Sequence, residues 1–168
     1  MVDRSPLNSD PIAEARRQWE AHGWNEAADG MAAVTSLMRA HQIALSRVET
    51  VLKPLEITFA RYEVLMLLHL SSRGSLPMGV IGSRLQVHQT SVTNAVDRLE
   101  VAHLVARQPH PTDRRTTLVE ISARGRSVAE RATEQLNSEV FTDPLLSSAP
   151  MREMVETLRD MRHQAGDF

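Results

Sequence analysis

The sequence predicts a mainly helical protein carrying one small two-stranded β-ribbon, and three observations predict it. Apolar residues recur at three- and four-residue steps along most of the chain. That period gives way to strand-like patterning over residues 104–121, where two short runs flank a proline-rich turn. Capping residues and helix-stopping prolines fall at the ends of the periodic stretches, as at Asp10-Pro11, Pro54 and Ser122.

Each element can be justified in order. Asp10 as N-cap and Pro11 at the first helical position start a short amphipathic helix with Ile12, Ala15 and Trp19 on one face, ending near Gly23. A second helix runs from about Gly30 to Lys53, with Val34, Leu37, Met38, His41, Leu45, Val48 and Leu52 at helical steps. Pro54 stops it, because proline lacks the amide donor and disfavours helix at the residue before it. Thr58 is placed to cap a third helix whose interior, Tyr62 to Leu70, is apolar nearly all round and must be buried on most sides. Ser71-Ser72-Arg73-Gly74 breaks it. A short helix at about Met78–Leu85, a turn, and a helix at about Gln89–Ala102 follow. Leu104–Gln108 and Thr116–Ile121 read as strands, joined by a loop from Pro109 to Arg115 whose prolines are expected to stay out of the ladder. Ser122 caps a long helix with Val128, Ala129, Ala132, Leu136 and Val140 inward. Pro150 opens a last helix carrying Met151, Met154, Val155, Leu158 and Met161.

Composition bounds the function classes. At 168 residues the chain has the length of one ordinary domain, and 42% hydrophobic with 24% charged residues is a globular balance. No apolar run approaches the ~20 residues needed to span a bilayer, so no membrane partner is expected. Met1–Asp10 lacks the layout of a secretion signal, so the expected location is the cytoplasm. The absence of cysteine excludes disulfides, thiolate zinc sites and thiol redox switches. The histidines show no His-Glu-x-x-His spacing, and there is neither a glycine-rich phosphate loop nor a Gly-x-Ser-x-Gly elbow. No catalytic residue, metal ligand or cofactor is therefore assigned, and an enzyme is not expected.

The net charge of −2 conceals an uneven distribution. Residues 103–126 carry five arginines and two acids, whereas residues 127–168 carry four arginines and eight acids. Positive charge gathers in the middle of the chain and negative charge at its ends, which suits a central module meeting nucleic acid and termini meeting a partner chain. A solvated basic loop between acidic helices would show the same charges.

Two helices joined by a short turn and followed by a ribbon with a basic tip form a winged helix-turn-helix. On the Gln89–Ala102 helix, Val92, Ala95, Val96 and Leu99 share a core-facing arc, while Thr90, Asn94 and Asp97 fall opposite, flanked by Ser91, Thr93 and Arg98. Ser, Thr and Asn are mediocre helix formers, so their concentration at Thr90, Ser91, Thr93 and Asn94 points to a face that hydrogen-bonds base edges in a major groove. In the wing, Arg114 and Arg115 are expected along or in a minor groove, where narrow width concentrates negative potential. Asp113 is expected to orient the Arg115 side chain by a charge-assisted hydrogen bond, and Arg107 to contact phosphate. The competing reading is a winged helix serving only as a dimerisation or protein-interaction module without specific DNA binding.

The segment Gln86 to Glu100 resembles the recognition-helix region of MarR-type regulators, the multiple-antibiotic-resistance regulator family of bacteria. Pro111-Thr112-Asp113-Arg114-Arg115 is similar to that family's Asp-x-Arg wing motif, and Ser122-Ala123-Arg124-Gly125 resembles the capped start of the helix after the wing. The resemblance covers the chain from about Ala28 to the last helix. It implies a homodimer with interlocking first and last helices, bound to a palindromic operator, usually as a repressor. By position it places Thr90, Ser91, Thr93 and Asn94 in the major groove and Arg115 in the minor groove. It also implies release by a small anionic or phenolic ligand, for which Trp24, His41, Arg61, Tyr62, Met66 and His69 are candidate lining residues. Each of these six has an ordinary packing alternative. The extra N-terminal helix with Trp19 resembles the urate-responsive subgroup, but Glu63, Asn94 and Ala106 depart from that subgroup's Asp and arginines. The expected organisation is 1–54 for the N-terminal extension and dimerisation helices, 55–122 for the winged module, and 123–168 for the C-terminal dimerisation helices.

Overall fold

The computed structural model describes residues 7–113 and 115–168. It divides into two compact units, Met1–Arg47 and Val48–Phe168.

In the first unit, helix α1 (Pro11–Ala21) begins as its sequence dictates: Asp10 Oδ1 accepts from the Ile12 N–H at 2.9 Å, with proline at the next position. Gly23, at φ +83°, turns the chain, a conformation that favours glycine. Helix α2 (Asn25–Leu52) starts five residues before the expected Gly30. Gly30 is an interior helical residue with open space around it, and one exposed glycine costs only about 1 kcal/mol, too little to end a 28-residue helix. Arg16 on α1 bonds Asp29 on α2 at 2.8 Å, and the Trp19 and Trp24 rings meet edge to face with centroids 5.3 Å apart.

The second unit contains the main core. A 3₁₀ turn (Lys53–Leu55) holding Pro54 ends α2, and helix α3 (Phe59–His69) follows. The nearly all-round apolar pattern of α3 is explained by its neighbours: it packs against helices α4 (Met78–Leu85), α5 (Gln89–Val101) and α6 (Ala123–Leu136) and against strand β3 (Thr117–Ile121). Val64, Leu65 and Leu68 of α3 meet Ile81, Val92, Val96, Leu99, Val119 and Leu136 in one cluster. Thr58 has the extended backbone of an N-cap, but its hydroxyl does not cap; the Phe59 N–H donates instead to Glu49 Oε1 at 2.8 Å.

The expected two-stranded ribbon is present as β2 (Val105–Pro109) and β3, with Val105 opposite Ile121 and Arg107 opposite Val119. A third strand, β1 (Ser75–Pro77), pairs antiparallel with the other edge of β3, giving the order β1-β3-β2. Three residues ending in proline carry no period of their own, so β1 exists because β3 offers it an unpaired edge. Pro109 was expected outside the ladder and instead ends β2 opposite Thr117. It is tolerated because β2 is an edge strand and Pro109 has the parity of Arg107, whose N–H points away from β3.

Ser122 caps α6, its Oγ accepting from the Gly125 N–H at 2.9 Å and donating to the Leu104 carbonyl at 3.0 Å. Gly125 lies so close to that strand entrance that a Cβ would stand 2.1 Å from the Leu104 oxygen. The long helix does not end at Leu136 but loosens into a π-helical segment, Asn137–Phe141, which keeps Val140 buried. Helix α7 (Ser148–Gln164) starts two residues before Pro150, which sits in its first turn. None of its residues is buried. No helix among the described residues is long and apolar enough to cross a membrane.

Candidate nucleic-acid interface

Helix α5 presents the face its sequence predicts. Val92, Val96 and Leu99 are buried, Ala95 is half-buried, and Thr90, Ser91, Asn94, Asp97 and Arg98 are exposed. Thr93 is half-buried, and its hydroxyl donates back to the Gln89 carbonyl at 3.0 Å. The helix start is held by His88, whose Nδ1 accepts from the Thr90 N–H at 3.2 Å. This cap was not legible because histidine is an unusual N-cap residue.

The wing tip is a compact turn from His110 to Thr116. His110 Nδ1 accepts from the Asp113 N–H at 3.2 Å, and the Thr116 N–H donates to the Asp113 carbonyl at 3.1 Å. Asp113 was expected to hold the Arg115 guanidinium. It holds the Arg115 backbone instead: Oδ1 accepts from the Arg115 N–H at 3.0 Å and Oδ2 from the Thr116 hydroxyl at 2.7 Å. The Thr116 hydroxyl and the Arg115 amide keep the Asp113 carboxyl below its usual range. An aspartate two residues before an amide closes an Asx turn more readily than it reaches along a flexible side chain. The Arg115 side chain is thereby exposed on a fixed backbone. Arg114 lies outside the described residues.

A groove of about 520 Å³ runs between α4, the start of α5 and the wing, lined by Gln89, Arg115, Thr116 and Thr117 among others. It brings Arg115 and the first residue of α5 to one surface. Gln89 was not among the expected contacts.

Arg107, expected as a phosphate contact, is paired with two acids of α5. Its guanidinium bonds Asp97 Oδ1 and Glu100 Oε2, each at 2.5 Å, and its backbone N–H donates to Glu100 Oε1 at 3.0 Å. Partial burial disfavours the Arg107 charge, but the bonds to Asp97 and Glu100 outweigh it and raise its pKa further.

Of the six candidate ligand residues, Trp24 and His41 belong to the first unit and Arg61, Tyr62, Met66 and His69 to the second, where these four face different neighbours. Trp24 stacks on His22 with ring centroids 5.4 Å apart and lines a shallow depression with Trp19 and Glu26. His41 is exposed on α2. Tyr62 is buried, its hydroxyl 3.0 Å from Thr133 Oγ1, and the same Thr133 hydroxyl lies 3.1 Å from Met66 Sδ. These two are core residues. His69 faces Glu130 at 4.0 Å, with Nδ1 buried and unpartnered. Arg61 points elsewhere, into a groove of about 640 Å³ shared with Ser91, Asn94 and Arg98 of α5. The separation follows from helix geometry, since residues one and two apart on α3 face different neighbours. Among the described residues, no group of three or more His, Asp or Glu is placed to hold a metal ion.

The MarR family model matches residues 57–117, the stretch from α3 to the start of β3. Sco5413, a MarR family transcriptional regulator from Streptomyces coelicolor, is 48% identical, with 83% of this chain and 97% of that chain covered and a TM-score of 0.76. The chain belongs to the MarR family. Two further comparisons are more distant. A mutant MarR from E. coli complexed with operator DNA shares the fold, at 20% identity and a TM-score of 0.73, over 80% of this chain and 96% of that one. YhbI of Bacillus subtilis, an uncharacterized HTH-type transcriptional regulator, is 32% identical over 87 residues, 52% of this chain and 55% of its own length. The chain thus spans about half the length of the curated relatives it matches. Within this MarR-family chain, the matched region contains α4, α5, β2 and the wing tip, the elements that carry every residue of the exposed polar and basic surface described above.

Proposed function

We propose that this MarR-family chain is a homodimeric regulator that reads double-stranded DNA. Helix α5 enters the major groove with Thr90, Ser91, Thr93 and Asn94 at base edges, Asn94 suited to a bidentate contact with adenine. Arg98 supports it at the backbone, and Arg114 and Arg115 enter the adjacent minor groove from the wing. The observation that carries this reading is a helix α5 with a buried apolar face and exposed short polar residues, whose first residue, Gln89, shares a groove with an exposed Arg115 held at its backbone by Asp113. Residues 55–122 form the reading module in this scheme, with 1–54 and 123–168 supplying dimer contacts.

The apolar side chains left open on α2 and α7 support the dimer. Val34 and Met38 on α2 are 55% and 60% exposed, and Met154 and Met161 on α7 are 42% and 53% exposed, each pair at a helical spacing on one face that a second copy would cover. Two copies related by a twofold axis read a palindrome with recognition helices about 34 Å apart. Occupancy of an operator blocks polymerase, so the chain acts as a repressor in the cytoplasm. A small anionic or phenolic ligand lowers DNA affinity, and the groove shared by Arg61, Arg98 and Asn94 is where such an anion would meet both a cation and the reading helix.

Binding of the full chain to duplex from the DNA flanking its own gene, against a scrambled duplex, tests the reading across salt concentrations. The expected result is a steep loss with salt and a preference for the native duplex. Asn94→Ala reduces that preference more than it reduces scrambled binding. Absence of salt-sensitive binding to either duplex would instead support a winged helix used only for protein contacts.

A further inference from the structure

The winged module joins its reading helix to its wing through only three residues, Ala102 to Leu104, with His103 in the left-handed region at φ +58°. A turn that short sets where β2 begins but leaves the tilt of α5 against it to side chains. Arg107 spans that gap. One guanidinium nitrogen goes to Asp97 and the other to Glu100, carboxylates one helical turn apart on the same flank of α5. Glu100 also accepts the Arg107 backbone N–H, which belongs to the open edge of β2 and has no ladder partner there. One arginine and two carboxylates thus tie helix and strand together at three points. Planar, two-sided donation is a property of guanidinium that a lysine ammonium cannot reproduce.

The same geometry argues against Arg107 as a phosphate anchor. The guanidinium is matched by two carboxylates and its side chain is only 28% exposed, so a phosphate would meet a neutralised, partly covered group with a net negative charge beside it. We propose that Arg107 is a positioning residue: by clamping Asp97 and Glu100 it fixes the pitch of α5 relative to the wing and so sets how sharply the protein discriminates one DNA sequence from another. The inference rests on the DNA-reading function proposed above. Base contacts demand placement to a fraction of an ångström, whereas phosphate contacts tolerate more, so a loosened clamp lowers discrimination before it lowers non-specific affinity.

The test uses full-length Arg107→Gln, Arg107→Lys and Asp97→Asn, and the double variant Asp97→Asn with Arg107→Gln. Each is titrated against the duplex flanking the gene and its scrambled counterpart between about 50 and 200 mM salt. Expected is a fall of about five- to tenfold in the native-to-scrambled preference for Arg107→Gln, with the slope of log affinity against log salt unchanged. Arg107→Lys does not restore the preference. The double variant loses no more than Arg107→Gln alone, because both substitutions break one unit. Asp97→Asn leaves the Glu100 bonds in place and reports on the clamp if Arg107→Gln fails to fold. A salt slope reduced by about one, with both duplexes weakened alike, would make Arg107 a phosphate contact and overturn the proposal. Unchanged preference in every variant would overturn it as well. A parent chain that binds neither duplex overturns the DNA-reading function itself, whereas a parent that binds beside indifferent variants overturns the clamp alone.

Discussion

The carboxylate of Glu49, on the last turns of α2, accepts the backbone N–H of Phe59 at 2.8 Å, so a side chain from one helix caps the next across the Pro54 turn. The first amides of a helix have no partners within it, and a partner ten residues earlier in sequence fixes where α3 begins relative to α2. Glu49→Ala is expected to destabilise the protein by about 1 kcal/mol, and Glu49→Gln, which keeps an acceptor, by less. Urea unfolding of the three proteins at neutral pH measures this. Equal stability of the alanine variant would return the capping role to Thr58.

Glu63 on α3 provides a pH-dependent prediction. Burial raises its carboxyl above the ordinary value of 4.5, because a partly desolvated carboxylate resists ionisation. A folded pKa raised above the unfolded value means that stability is fully present below about pH 4.5 and is lost as pH rises through the folded value. Glu63→Gln removes that loss. Its melting temperature should exceed the parent's by about 2 °C at pH 7 and match it near pH 4. A variant that melts below the parent at pH 7 would mean the ionised carboxylate has a stabilising partner.

Asp113 holds the Arg115 amide and the Thr116 hydroxyl, and these bonds keep its carboxyl below the ordinary value of 3.8. The sign is opposite to that of Glu63. The order it confers on the wing tip is complete above pH 3.8 and is lost as pH falls through the lower folded value. The Arg115 amide resonance should therefore titrate below pH 3.8 and become exchange-broadened in Asp113→Ala. The same variant should bind the flanking duplex several-fold more weakly with little change in melting temperature. Full affinity in Asp113→Ala would mean that the backbone at Arg115 is held without it.

The open apolar stripe of α7 is expected at the centre of the homodimer. Leu158, half-buried between exposed Val155 and Met161, is the position where a charge is most disruptive. Leu158→Asp should weaken association by about 3–5 kcal/mol and yield monomers that retain helical content but bind DNA poorly. Sedimentation of parent and variant decides this. A variant that stays dimeric would move the interface away from α7.

Much of the fold was legible because local chemistry marks element ends. Asp10-Pro11, Pro54 and Ser122 mark helix ends in the sequence and do so in the structure. The buried arc of α5 followed from a 100° wheel because Val92, Val96 and Leu99 repeat at the helical period. Gly30 misled because one exposed glycine is a small penalty against a long helix.

The sequence by itself determined which residues are short, polar and outward on α5, which arginines the wing carries, and which stripes are left without a partner. It could do so because periodicity and capping are properties of neighbouring residues. Only the tertiary structure decided what pairs across the chain. Strand β1 exists because β3 had a free edge. Tyr62 and Met66 turned inward because Thr133 lies beside them. Asp113 took the Arg115 backbone, and Arg107 was drawn to Asp97 and Glu100. A charged side chain finds the nearest opposite charge in space, and that distance is set by how helices and strands stack, which no local pattern records.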